Sequence, residues 1–373
     1  FRLRAFPAMV GFLEKGMDHL DRTGGHWALQ REFCLLANRA VQNLRDYPEG
    51  VESRLARMAS RAQAAGQQET RLAALYALSV LRYTRSDPGL LREGIIDLDA
   101  TLTGEVEDPM ARAFNLSGMA LCLLATDQEI PKARALLAEA DRLCKLHGFD
   151  EADTRTGFGW LTHRDGRVDE AREHLLRARA LMREKDLPQF EFQIECSLAR
   201  IELEEENPLA ALDHVRSIKA LDEVVRHSAD RHFAQALTSL AKLQLGDPDA
   251  DTLFLRSLEL LRADKVKVMT SYLQLMKAER ELRAGSHAGL QERCAEAIAC
   301  CEPLQRQAEP AWARCLLGLS ALAQERRDDA FGHWDSLGRV FARPGVLPAR
   351  VLRLTEELAG GLGVPMPLAP APF

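Results

Sequence analysis

The chain has 373 residues, of which 46% are hydrophobic but only 6% aromatic, and its formal net charge at pH 7 is -6. A mildly acidic chain has no general attraction for nucleic acid or anionic membranes, and no apolar run approaches the ~18 residues a membrane span needs. Ala and Leu dominate and β-branched residues are sparse, which favours an all-α chain over any sheet architecture.

The start, FRLRAFPAMVGFLEKG, pairs a basic lead with a short apolar core from Phe6 to Leu13. It has no A-x-A-like cleavage site and runs straight into an amphipathic pattern, so it does not read as a signal peptide, and a cytoplasmic location is expected. A chain opening on Phe1 rather than Met reads as a fragment or processed form, with room for a catalytic or DNA-binding part upstream. Residues 1–22 are predicted as one helix, closed by Thr23-Gly24-Gly25. Residues 1–25 are therefore expected to form a capping helix or a truncated repeat.

From His26 onward a helix, a breaker cluster and a second helix alternate. The breakers are Asp46-Tyr47-Pro48-Glu49-Gly50, Ser86-Asp87-Pro88-Gly89, Thr126-Asp127 to Pro131, and His163-Arg164-Asp165-Gly166-Arg167. Then come Glu206-Asn207-Pro208, Gly246-Asp247-Pro248-Asp249, Ala284-Gly285-Ser286 and Arg326-Arg327-Asp328-Asp329. Each lies between stretches whose apolar residues recur at three- and four-residue spacing. Within Glu151–Met182, Gly159 lies twelve residues before Ala171, with Leu175 and Ala178 following. Small residues there let two helices approach closely while Leu175 fills their seam.

Aligned on Ala171, the series reads Ala133, Ala171, Ala211, Asp251, Leu290 and Ala330, at steps of 38, 40, 40, 39 and 40 residues. Weaker units are anchored near Val51 and Glu93. The small first-helix position recurs as Gly118, Gly159, Ala199, Ser239, Ala278 and Gly318, and the bulky second-helix position as Leu137, Leu175, Val215, Leu255, Cys294 and Trp334. A unit this short cannot bury its own apolar face, so neighbouring units must stack.

This pattern resembles the tetratricopeptide (TPR) repeat, with a small residue in helix A and small, bulky, small residues in helix B. Asp251 and Leu290 depart from it, and the period exceeds the family's 34 residues, which implies longer helices. Repeats near 40 residues are similar to the sensor arms of bacterial MalT-type regulators and related signal-transduction ATPases. The resemblance implies a right-handed TPR-like α-solenoid of about eight helix-turn-helix repeats over 26–340, with terminal capping helices. In the closing segment, 341–373, a helix is predicted from Leu347 to Leu358, ended by Ala359-Gly360-Gly361-Leu362-Gly363. The Pro-rich PMPLAPAPF that follows cannot continue a helix.

Catalytic signatures are absent: no Walker A, G-x-G-x-x-G, H-E-x-x-H or G-x-S-x-G. His163-Arg164-Asp165 matches the kinase triplet only superficially and is predicted as a turn between helices. His227 and His232 around Asp230 sit five apart, on different helix faces, which argues against a shared metal. The eight cysteines form no C-x-x-C pair, and packing thiols in a reduced compartment are expected, Cys294, Cys300 and Cys301 included. The acidic run Glu202 to Glu206 reads as a solvated helix end. No catalytic residue, metal or cofactor is expected; an enzyme would have to draw on His163, Asp153 and Glu279.

The TPR resemblance implies a concave groove lined by fixed positions of each helix A. In this numbering those are Tyr76 and Tyr83, Arg112 and Asn115, then Asp153, Thr156, Trp160, His163 and Arg164. Gln193 and Arg200 follow, then Tyr272, Glu279 and Arg283, with Met119 and Glu204 beside them. The sixth and eighth units present apolar Phe233, Leu240, Leu243, Trp312, Leu319 and Leu322. Aromatics beside Arg, Asn and His suit a peptide or a sugar-like ligand. The expected function is a non-catalytic scaffold or adaptor that binds a protein or peptide in its groove, contacting neither nucleic acid nor membrane. Self-association through the apolar C-terminal repeats is a further expectation. The alternative is a ligand- or partner-sensing C-terminal arm of a larger bacterial signalling ATPase or transcription regulator.

Overall fold

The computed structural model describes residues 25–44, 50–84, 109–127, 129–185, 187–219, 228–264, 266–341 and 347–366, with four residues between 15 and 19. Among the described residues there are sixteen α-helices, one short 3-10 turn and no strand. In chain order these are α1 (Trp27–Leu44), α2 (Val51–Ala64), α3 (Gln68–Thr84), α4 (Pro109–Thr126), α5 (Ile130–His147), α6 (Ala152–Arg164), α7 (Val168–Glu184) and α8 (Pro188–Glu204). Then come α9 (Pro208–Lys219), α10 (Ser228–Gln244), α11 (Ala250–Ala263), α12 (Lys267–Arg283), α13 (Leu290–Cys301), α14 (Ala308–Ala323), α15 (Arg327–Phe341) and α16 (Ala349–Leu362). None of the described helices is long and apolar enough to cross a membrane.

The chain divides into two compact units. One is drawn from the described residues within Phe1–Cys122 and Ala133–Gly157, the other from those within Leu123–Lys132, Phe158–Leu221 and Ser228–Phe373. In the first unit α3 packs on both α1 and α2. Cys34 Sγ meets Met58 Sδ at 3.1 Å, and the Thr70 hydroxyl donates to the Trp27 carbonyl at 3.1 Å. Tyr76 packs edge-on to Phe114, with ring centroids 5.3 Å apart, and lies against Gly118, where any Cβ would collide with its ring. Ser117 and Thr154 share a hydroxyl hydrogen bond of 2.6 Å.

In the second unit each of α8, α10 and α12 touches its neighbours in sequence and also the helix two further on. These inner helices are buried on several faces: every residue of α12 from Thr270 to Ala278 is buried. The alternate helices bury a single stripe, Ala171, Leu175, Ala178, Leu181 and Met182 on α7, and Leu290, Cys294, Ala297 and Cys301 on α13. A helix with neighbours on three sides needs an apolar surface nearly all round, whereas one on the outside needs only a stripe.

The turns repeat in backbone detail. A left-handed residue recurs at Gly166, Glu206, Gly246, Gly285 and Glu325, at steps of 40, 40, 39 and 40. At each, the next residue's N–H returns to a carbonyl five residues back. Arg167 donates to Thr162, Asn207 to Glu202, Asp247 to Lys242, Ser286 to Glu281 and Arg326 to Ala321, at 2.7–3.0 Å. This is the Schellman closure, which satisfies carbonyls orphaned at the helix end and needs a positive φ that glycine adopts at least cost.

The small first-helix positions are all buried: Gly118, Gly159, Ala199, Ser239, Ala278 and Gly318. A Cβ on Gly159 would lie 2.6 Å from Leu175, the seam the sequence predicts. One anchor is out by a residue. Asp251 and Leu255 are exposed, and Ala250, Phe254 and Leu258 are buried in their place, because α11 starts at Ala250 directly after the turn. Trp334 is likewise only half-buried, and the side chain against Gly318 is Leu358 of α16, 2.8 Å from where a Cβ would lie.

Two boundaries also differ. Arg327, Asp328 and Asp329 belong to the first turn of α15 rather than to a loop, with the acidic pair on the favourable side of the helix dipole. The closing helix runs on through Gly360 and Gly361 to Leu362. Gly361 lies against Leu322, where a Cβ would come within 2.6 Å, and Gly363 at φ 70° ends it. The predicted helix over 1–22, the turn at Ser86–Gly89 and the anchor near Glu93 fall largely or wholly outside the described residues.

Candidate functional site

Within the second unit, six residues expected on the groove face converge: His163 at the end of α6, Arg200 on α8 and Glu204 as its last residue, Tyr272 and Glu279 on α12, and Trp312 on α14. They meet Arg350 near the start of α16. Glu204 is the hub. Its Oε1 accepts from the Tyr272 hydroxyl at 3.1 Å, and its Oε2 lies 3.3 Å from His163 Nε2 and 3.7 Å from Arg350 Nη1. Arg350 Nη1 also donates to the Glu204 carbonyl at 3.3 Å, and its Nε to Glu279 Oε2 at 3.1 Å. Trp312 Nε1 donates to the same Glu279 oxygen at 2.8 Å.

Aromatic rings complete the box. The Arg350 guanidinium lies 5.0 Å from the Trp312 ring centroid, and that of Arg200 is 4.2 Å from the Tyr272 centroid. Tyr272 is flanked edge-on by Phe233 and Trp312 at 6.3 and 6.2 Å. A cation over a ring face is attracted by its quadrupole, and more strongly when water is excluded. Burial pushes the Glu204 carboxyl up, but His163, Arg350 and Arg200 outweigh it and hold the group well below the usual carboxylate range. Burial, reinforced by the Glu204 charge, pushes the Tyr272 hydroxyl well up, so it stays a donor.

A second cluster lies in the same unit. Asp127, in a left-handed turn conformation, accepts from the N–H groups of Gln307 and Ala308 at 3.0 and 2.9 Å, capping the start of α14 from a remote turn. Arg164 Nη2 meets its other oxygen at 2.6 Å. Arg306 donates to the Ala125 carbonyl and pairs with Glu309 at 2.9 Å.

The remaining lining residues are not gathered there. Tyr76, Asn115, Asp153 and Thr156 are buried within the first unit, where Arg112 is half-buried. The side chain of Tyr83 lies outside the described residues. Trp160 is half-buried and donates to Ser197 Oγ at 3.1 Å; that hydroxyl in turn donates to the Gln193 carbonyl at 3.0 Å. Arg283 is exposed and pairs with Glu357 through two bonds of 2.7 Å.

The acidic run is not a solvated end throughout. Glu202 is buried and takes two bonds from Arg172, at 2.7 and 3.0 Å, and Glu204 points into the box. Glu205 and Glu206 lie past the end of α8, Glu206 in the left-handed turn, and it is these two that are exposed. Sequence reasoning missed Arg350 as a member, because it sits in the segment read as a cap. Its one local signal is a cation in the first turn of a helix, the end that disfavours positive charge.

Among the described residues no group of three or more His, Cys, Asp or Glu could hold a metal ion. His232 Nδ1 lies 3.1 Å from Asp264, and Asp230 is buried. None of the eight cysteines forms a disulfide, and burial pushes the Cys34, Cys122, Cys294, Cys301 and Cys315 thiols up to about 12, away from thiolate chemistry. No protein-family model matches the chain, and no curated protein matches its sequence.

Proposed function

We propose that the chain is a non-catalytic scaffold or adaptor, a right-handed TPR-like solenoid of about eight helix pairs, that binds a protein or peptide segment. The face we assign to binding carries Trp160, His163 and Arg164, continuing to Gln193, Arg200, Tyr272, Glu279 and Arg283. The observation that carries this reading is the recurrence of one turn geometry every 39 or 40 residues from Gly166 to Glu325. A backbone that repeats in this way supports a stack of equivalent hairpins, and such stacks work through extended surfaces. The ionisable groups of the box are engaged with one another, which suits recognition rather than proton transfer. For the first unit, taken by itself, the residues we assign to binding are Tyr76, Tyr83, Arg112, Asn115, Asp153 and Thr156.

The test is affinity capture with the intact chain and with Trp160→Ala/Arg164→Ala. A partner recovered by the intact chain and lost by the variant supports the assignment. Equal recovery by both, with the variant folded by circular dichroism, removes the face from consideration.

A further inference from the structure

Arg350 is the second residue of α16, behind an extended Pro348, and the first turn of that helix carries no acidic residue. A cation there opposes the helix dipole. Helix α16 does not need this arginine to dock. Val351, Leu354, Thr355, Leu358 and Leu362 are buried, and Thr355 meets Cys315 at 3.3 Å. Farther along, Glu357 pairs with Arg283, and Arg327 donates to the Leu362 carbonyl at 2.5 Å. A buried ion pair adds little stability over a well-packed apolar residue. What the position does supply is a receptor for a guanidinium: two carboxylates, a backbone carbonyl and an indole face around one group. Arg350 keeps 16% of its side chain exposed and His163 keeps 21%, so the box has a rim open to water.

We propose that the box formed by Glu204, Glu279, Tyr272 and Trp312 recognises an arginine side chain of the bound partner, with Arg350 as its resident competitor. This rests on the reading of that face as peptide-binding. Exchange moves one side chain while the apolar face of α16 stays docked. The two carboxylates pass from one guanidinium to another, so no unpaired charge is left buried. Arginine is preferred to lysine because its planar fork can meet both carboxylates while stacking on Trp312.

The test uses the full chain and acetyl-arginine amide as probe, followed by calorimetric titration and thermal shift. Arg350→Ala removes the competitor and is expected to bind the probe at least about tenfold more tightly than the unaltered chain, since apparent affinity scales with the fraction of open box. The probe is expected to raise its melting temperature, with acetyl-lysine amide less effective. Adding Glu279→Gln is expected to abolish the gain. Should Arg350→Ala fail to fold, Arg350→Gln keeps the stem and removes the charge. Probe binding no tighter in either variant than in the unaltered chain, or a gain that survives Glu279→Gln, overturns the inference. Capture with Trp160→Ala/Arg164→Ala is read separately: loss of the partner there without any probe effect keeps the peptide-binding face and rejects the arginine box.

Discussion

Arg350 Nη1 lies 3.7 Å from Glu204 Oε2 and 3.3 Å from the Glu204 carbonyl, although 146 residues separate the two in the chain. The contact brings the closing helix to the end of α8, where Glu204 already faces His163 and Tyr272. Removing one member of such a buried set strands the charge of the others, which costs more than the pair itself contributes. Glu204→Gln keeps the shape and is expected to lower unfolding stability by about 3 kcal/mol. Glu204→Gln/Arg350→Gln is expected to cost less than the sum of the single changes, a coupling a urea-denaturation double-mutant cycle reads directly. Strictly additive losses would show that the two side chains do not interact.

Two glycines on helices are expected to respond in opposite directions. Gly159→Ala places a methyl 2.6 Å from Leu175 and 3.4 Å from the Ala171 carbonyl, so it should destabilise by about 1–3 kcal/mol. Gly332 lies exposed on α15 with nothing within 4 Å of an added Cβ, so Gly332→Ala should stabilise by about 0.5–1 kcal/mol. Melting curves of the two variants, run side by side, check the close approach in the α6–α7 seam.

Glu206 and Glu325 occupy the left-handed place that glycine takes at 166, 246 and 285, with φ of 58° and 59°. A residue with a Cβ pays roughly 1–2 kcal/mol there. Glu206→Gly and Glu325→Gly are therefore each expected to raise the urea midpoint, offset in part by the greater freedom of glycine in the unfolded chain. Gly246→Ala, with φ 79°, should lower it.

Acid should unfold the second unit through its buried carboxylates. Burial pushes Glu195, Glu204 and Glu309 up, but facing cations outweigh it and hold each below the ordinary range. These cations are His214 and Arg179 for Glu195, His163, Arg350 and Arg200 for Glu204, and Arg306 for Glu309. A folded pKa below the unfolded value of about 4.3 means the unfolded chain binds more protons in acid. The stability these groups contribute is complete above that value and is lost as pH falls through their folded pKa values. The urea midpoint should hold steady from neutral pH down to about 5 and fall below about 4. Glu195→Gln should make that fall shallower; an unchanged slope would remove Glu195 from the set.

By itself the sequence determined the all-helical class and, from Gly166 to Glu325, the roughly 40-residue spacing of the turns. These depend on local chemistry: apolar residues at helical intervals, small residues at close approaches, and turn formers between them. Gly159 against Leu175 was legible for that reason, and so was the row of buried small residues from Gly118 to Gly318. The local pattern failed at Asp251, where the register shifts by one residue, because a helix start is set by its turn as much as by its stripe. Only the tertiary structure decided which charges face each other. Pairing of Glu204 with Arg350, or of Asp127 with the backbone at Gln307 and Ala308, depends on the summed geometry of many helix contacts. No periodicity within a single repeat encodes it, since a charged side chain on one helix carries no local mark of the distant partner that will make its burial tolerable.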